Sequence, residues 1–206
     1  MRKDVKSNQD GEGRAAEALA ASVRVRTLIM VMRREGAREQ VRDMTEVRLA
    51  RESDIPALCD LYCDFHEFHA ERIPGRLLSL RSTWDEETAE LAERLREVVG
   101  DGDSEVLVAV SHGEISGFSE VYLRVDEETR ARPASRYCHV QSMFVVPLRR
   151  GTGIGRQLLA SSESWAKTRG ASEMRLDVWE FAEGPAGFYE ECGFRGYRRS
   201  FSLPLT

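Results

Sequence analysis

Long apolar runs are missing from this chain. Near its start the longest uncharged apolar stretch is residues 27–32, closed by Arg33 and Arg34, far short of the roughly 20 residues that a membrane helix needs. It is also too short for the apolar core of an export signal, about 7 to 15 residues, so neither a membrane partner nor secretion is expected. Positive charge is not in excess. Thirty Lys and Arg against thirty-five Asp and Glu give a net charge of −5, which argues against a diffuse grip on nucleic acid. Cysteine is scarce: Cys59, Cys63, Cys138 and Cys192 are scattered with no close CxxC pair. Reduced thiols in a cytoplasm are the simplest reading of that scatter, against a disulfide framework. What is present is a chain of 206 residues, 41% hydrophobic, enough for one ordinary domain with length to spare.

The composition changes at Met44. Residues 1–43 carry ten Lys and Arg against seven Asp and Glu, whereas residues 44–206 carry twenty against twenty-eight. The first segment is expected to be an extension, disordered or partly helical around residues 15–21, or upstream of a natural start at Met44. The second is expected to be the domain.

From Met44 the periodicities become regular. Residues 47–49 suit a short strand, and Ser53 or Asp54 can cap a helix whose Pro56 sits in the tolerant first turn. Leu58, Leu61, Tyr62, Phe65 and Phe68 then share one face. A second helix starts at Thr83, with Thr83 and Glu86 at capping-box spacing, and ends at Gly100. Its residues Glu86, Glu87, Glu90, Arg94 and Glu97 suit a solvated face, Glu90 and Arg94 forming an i to i+4 pair. Residues 105–110 and 114–125 read as strands joined by a tight His112-Gly113 turn. A strand at 137–146 stopped by Pro147, a helix at 153–169, a strand at 173–179, a short helix at 185–191 and a closing strand at 194–203 complete the order. Hairpins followed by alternating strands and helices predict a mixed α/β sheet covered by helices.

The most informative stretch runs from Met143 to Arg156: an apolar strand, Pro147, then Gly151, Gly153 and Gly155 opening a helix. Glycines let the backbone approach a pyrophosphate, the helix start offers unpaired amides, and Arg150 and Arg156 can add charge-assisted bonds. A tight strand-to-helix turn with no ligand would need the same glycines. No Gly-Lys-Ser/Thr follows, and Gly-x-Gly-x-x-Gly spacing is missing, which counts against ATP and NAD.

Arg150-Gly-Thr-Gly-Ile-Gly155 after an apolar strand, and then Phe188-Tyr189-Glu-Glu-Cys-Gly193-Phe194, together resemble the two motifs of the GNAT superfamily of N-acetyltransferases. The resemblance spans residues 46–203. It implies a largely antiparallel sheet with a splay between the fourth and fifth strands, and acetyl-CoA as co-substrate with no metal. It implies that Arg150, Gly151, Thr152, Gly153, Ile154, Gly155 and Arg156 cradle the pyrophosphate, and that backbone groups of Phe144, Val145 and Val146 meet the pantetheine arm. It implies Tyr189 as the general acid toward the departing thiolate, although a reference pKa of about 10 against about 8.5 requires an arranged site.

The chain departs from the family at three points, one being Pro185, which stands where small helix formers are common. Ala182 stands where many relatives carry an Asn that bonds pantetheine, and Gln141 stands where some carry a basic carboxylate. His139, two residues earlier, and Glu120, on the neighbouring strand, are the candidate bases; each could instead be a cross-strand polar residue. By resemblance the first two helices and their loop line the acceptor pocket, making His66, His69, Glu71 and Arg72 candidate contacts, with Trp179 and Glu180 at the end of the fifth strand. Solvent-facing or packing roles account for them equally well. Cys63, His66 and His69 lie three residues apart, yet no second cluster completes a zinc set, so no metal site is expected. The reading is therefore direct acetyl transfer to a primary amine of a small molecule or protein, a homodimer being an expectation of the resemblance. The alternative is a CoA-binding sensor or interaction module that has lost turnover.

Overall fold

The computed structural model describes residues 45–182 and 184–205. The expectations for residues 1–43 lie outside the described residues. Strand β1 (Thr45–Leu49) leads into helix α1 (Ile55–Ala70) and helix α2 (Trp84–Val98). Strands β2 (Ser104–Ser111), β3 (Glu114–Asp126) and β4 (Ser135–Val145) follow, then helix α3 (Ile154–Thr168), strand β5 (Glu173–Leu176) and helix α4 (Ala186–Glu191). The five strands form one sheet in the order β1-β2-β3-β4-β5, antiparallel except for the parallel β4–β5 pair. Mixed α/β architecture with a largely antiparallel sheet is thus the observed fold.

Period-two alternation divides the sheet into two apolar faces. Val106, Val108, Phe118 and Phe144 pack with Leu58, Tyr62 and Leu95 of α1 and α2. On the other face Leu107, Ala109, Val121, Cys138 and Val140 pack with Ile154, Leu158 and Trp165 of α3. The β2–β3 turn is the expected two-residue hairpin: His112 and Gly113 have φ of 54° and 82°, the left-handed pair that matches strand twist.

Several local expectations need correction. Neither α1 nor α2 is capped by a side chain at its start: the Asp54 carboxylate instead accepts from Arg48 at 2.6 Å and the Arg51 N–H at 2.8 Å. Thr83 turns back to the Leu80 carbonyl at 3.3 Å, so its spacing to Glu86 makes no capping box. Strand β5 stops at Leu176 rather than Trp179. The segment 194–203 forms no strand; Tyr197, Arg199, Phe201 and Leu203 have the right alternation, but a strand exists only against a partner. Tyr197, Phe201 and Leu203 are instead exposed.

The sheet opens where β4 and β5 separate. Pairing between them covers only Tyr137–Val140 against Glu173–Leu176. At that point β4 carries a bulge: Val140 faces Val121 and Ser142 faces Glu120, with Gln141 as the additional residue. A bulge bends its strand and sharpens the twist, which accounts for β5 leaving after four residues. Beyond it, residues 141–145 have a strand neighbour, among the described residues, only on the β3 side.

Candidate active site

The glycine turn lies at the open end of this gap. After β4, a short 3-10 turn (Pro147–Arg149) redirects the chain, and Gly151 and Gly153 take φ of 74° and 94°, values that side chains with a Cβ resist. Gly153 caps α3, whose first-turn amides have no acceptors within the helix. Gly155 has a different job. A Cβ there would sit 3.1 Å from the Phe188 ring, so the glycine lets α4 pack against the start of α3. The two sequence motifs are therefore in direct contact. A bare, left-handed turn feeding a helix start fits a diphosphate on geometry and charge.

The two arginines of this turn are engaged within the protein. Arg150 donates its Nε to the Val145 carbonyl at 3.0 Å and lays its guanidinium over Phe68, 4.4 Å from the ring centroid. Arg156 pairs with Glu191 of α4 at 2.7 Å. Of the three backbone units expected to meet pantetheine, Val146 gives its N–H to the Ser116 carbonyl at 3.0 Å. Successive strand amides point to opposite sides. The amide of Val145 therefore faces the β5 side of the gap, and those of Phe144 and Val146 face β3.

Tyr189 is held by its ring, which packs edge-on against Phe188 and Phe194 at 5.2 and 5.7 Å. Its hydroxyl has no hydrogen-bond partner among the described residues. Burial, with a smaller contribution from Cys192, pushes its pKa up to about 12. The phenol consequently stays protonated at neutral pH, the state a general acid needs. Tyr189 shares an open cleft with His139, Gln141, Asp177, Trp179 and Glu180, and the α1–α2 connection reaches it through Ile73 and Arg76. Trp179 is 46% exposed there, and Glu180 lies 3.9 Å from Arg199.

The two candidate bases sit in different settings. Burial lowers the His139 pKa, Asp177 opposes that effect and Arg124 adds to it, so the imidazole is neutral near pH 7. Glu120 is fully buried and accepts from Tyr62 and Tyr122, each at 2.5 Å, and from Arg94. Held by three donors, this carboxylate acts as a tie between β3, α1 and α2. Arg94 accordingly pairs with Glu120 and not with Glu90. Burial and the negative charge of Glu120 drive the Tyr62 pKa well upward.

His66, His69, Glu71 and Arg72 do not line the cleft that holds Tyr189. His66 Nε2 lies 2.7 Å from the Leu78 carbonyl, and His69 Nδ1 lies 2.9 Å from that of Phe65. Arg72 stacks on Phe68, with exposed Glu71 at 3.8 Å. Nothing in the sequence singled out Asp177 or the buried Glu67, which holds the α1–α2 connection through Ser79 and the Leu80 N–H, each at 2.8 Å. Tyr122 carried a readable signal: it is two residues from Glu120 and so on the same sheet face.

An α/β sheet parted between its fourth and fifth strands, with a phosphate-type turn at the opening, defines a class of CoA-using acyltransferase folds. The chain belongs to the Acetyltransferase (GNAT) family, whose profile matches residues 55–194. An aminoglycoside N(6')-acetyltransferase type 1 of Stenotrophomonas maltophilia is 30% identical over 118 residues, 55% of this chain and 75% of that protein. Among solved structures, a variant of the BH1408 protein of Bacillus halodurans matches with a TM-score of 0.71 and 25% identity, covering 78% of this chain and 99% of the other. A Clostridium acetobutylicum protein described as a predicted acetyltransferase, solved with acetyl-CoA, matches at 0.59 and 18% identity, covering 79% and 97%; that likeness concerns the fold alone.

Proposed function

We propose that residues 44–206 form an N-acetyltransferase that moves an acetyl group from acetyl-CoA to a primary amine by direct transfer in a ternary complex. The observation that carries this reading is the contact between the two motifs. The glycine turn and the Tyr189 helix are built on one another through Gly155 and Phe188, next to the gap between β4 and β5. In this reading the turn and the α3 amides hold the diphosphate, and Val145 meets the pantetheine arm.

The acceptor nitrogen attacks the thioester carbonyl, forming the C–N bond as the C–S bond breaks. His139, neutral at pH 7, takes the proton that the amine loses. Tyr189 gives its proton to the thiolate and recovers one from solvent. The Val145 amide, facing the gap, is the proposed donor to the developing oxyanion. Trp179 and Glu180 are proposed to hold the acceptor, the indole by stacking on a cationic amine. The aminoglycoside acetyltransferase among the relatives makes a polyamine sugar the first acceptor class to try. Four free thiols suit work in a reducing, cytoplasmic compartment.

Titration calorimetry of the full chain with acetyl-CoA, ATP and NAD tests the donor assignment. Selective acetyl-CoA binding that Gly153→Asp abolishes supports it; no binding by folded protein overturns it. Binding without transfer to any member of a broad amine panel would instead favour the non-catalytic CoA sensor.

A further inference from the structure

The last turn of α1 presents a cationic corner. The Arg72 guanidinium lies 3.6 Å from the centroid of the Phe68 ring, and that of Arg150 lies 4.4 Å from the same centroid. Arg72 is anchored by a 2.8 Å bond to the Phe68 carbonyl, and Arg150 by its bond to Val145. His69 packs beside them, and Phe181, arriving from beyond β5, lies 6.0 Å from the Phe68 ring and 6.2 Å from that of His69. Negative charge is nearly missing. Arg150 has no carboxylate partner among the described residues, and Arg72 has only exposed Glu71 at 3.8 Å.

Like charges held together carry a cost that a bound anion relieves. The Arg150 guanidinium is disfavoured first by burial and then by the charge of Arg72. His69 is disfavoured by burial, with Arg72, His66 and Arg150 adding to that effect. A guanidinium stacked on an aromatic face keeps its in-plane N–H donors free for a phosphate. Arg150 is also the residue immediately before Gly151, so the corner adjoins the diphosphate turn.

We propose that Arg72 and Arg150 together bind a phosphate of the acyl-CoA, Arg72 being a contact that the turn after α1 supplies to the glycine turn. This rests on the reading that acyl-CoA binds at that turn. It removes Arg72 and His69 from the acceptor pocket, because a cationic amine is repelled from this corner.

The test is calorimetry on the full chain with two probes: CoA, and S-acetylpantetheine, which lacks all the phosphates. Arg72→Gln is expected to weaken CoA about tenfold, the size of one charge-assisted bond. It should flatten the salt dependence and leave acetylpantetheine unchanged, with Arg72→Lys intermediate. Thermal melts of both variants check that the fold is intact. Unchanged CoA affinity in Arg72→Gln, or equal weakening of both probes, overturns the proposal. So does unchanged CoA affinity combined with an altered KM for a carboxylate-bearing amine, which would make the acceptor the source of the anion. Failure of the wild-type chain to bind CoA would overturn the functional reading itself, and this inference with it.

Discussion

Tyr189 and Glu120 show how the same chemical expectation ends differently according to what surrounds a side chain. The tyrosine hydroxyl has no hydrogen-bond partner among the described residues, so removing it should disturb chemistry and little else. Tyr189→Phe is expected to lower kcat by about a hundredfold or more while leaving acetyl-CoA affinity and melting temperature unchanged, as steady-state kinetics, calorimetry and thermal melts would register. Glu120 has three donors on it, and its loss strands the buried Tyr62 hydroxyl. Glu120→Ala should therefore cost about 1–3 kcal/mol in urea unfolding, the penalty for one unpaired buried polar group. For His139 the direction of the pKa shift fixes the sign. Burial holds the imidazole below its ordinary value of about 6.5, so kcat/KM should be flat near pH 7 and fall only on the acid side of that value. His139→Gln should abolish that acid limb; a limb that persists assigns the base elsewhere.

Among elements, the glycine turn and α4 were legible because their spacings are local. Gly151 and Gly153 need left-handed backbone, and Phe188-Tyr189 sits on a short helix, so both could be read along the chain. The reason for Gly155 could not, since it lies in Phe188, far away in sequence. Arg94 was misread for the same reason: four residues from Glu90, it pairs instead with Glu120 across the core. The expected strand at 194–203 had the correct alternation, yet its pairing depends on an edge that alternation does not encode. Backbone contacts at this scale give a direct prediction. A Cβ at Gly117 would sit 2.7 Å from the Phe144 carbonyl, so Gly117→Ala must push β3 and β4 apart. It should destabilise the chain by about 1–3 kcal/mol and weaken acetyl-CoA binding through β4. Destabilisation without loss of affinity would argue against β4 as the pantetheine strand.

Across the whole molecule, two carboxylates make stability depend on acid: Asp54 ties β1 to the start of α1, and Glu67 ties α1 to the α1–α2 connection. The bond to Arg48, aided by the Arg51 N–H, holds Asp54 below the usual carboxylate value against a smaller effect of burial. Burial alone would raise Glu67, but its bonds to Ser79 and Leu80 and the charge of Arg81 bring it lower. With folded values below unfolded ones, both carboxylates contribute stability above about pH 4 that is lost as the pH falls through the folded values. The urea midpoint should drop between pH 7 and pH 3.5, and Asp54→Asn should reduce that drop. The mixed sheet was legible in the order of strands and helices, and the β2–β3 hairpin in the His112-Gly113 turn, whereas the sheet order depends on strand pairing that alternation does not encode. The gap between β4 and β5 came from the family resemblance, and its cause, the bulge at Gln141, is visible only once the strands are paired. The most direct test of the whole account is release of free CoA thiol from acetyl-CoA, followed with and without a panel of amines that includes aminoglycosides. Amine-dependent release by the wild-type chain that collapses in Tyr189→Phe is the expected result; tight acetyl-CoA binding with no release for any amine would contradict the proposed transfer.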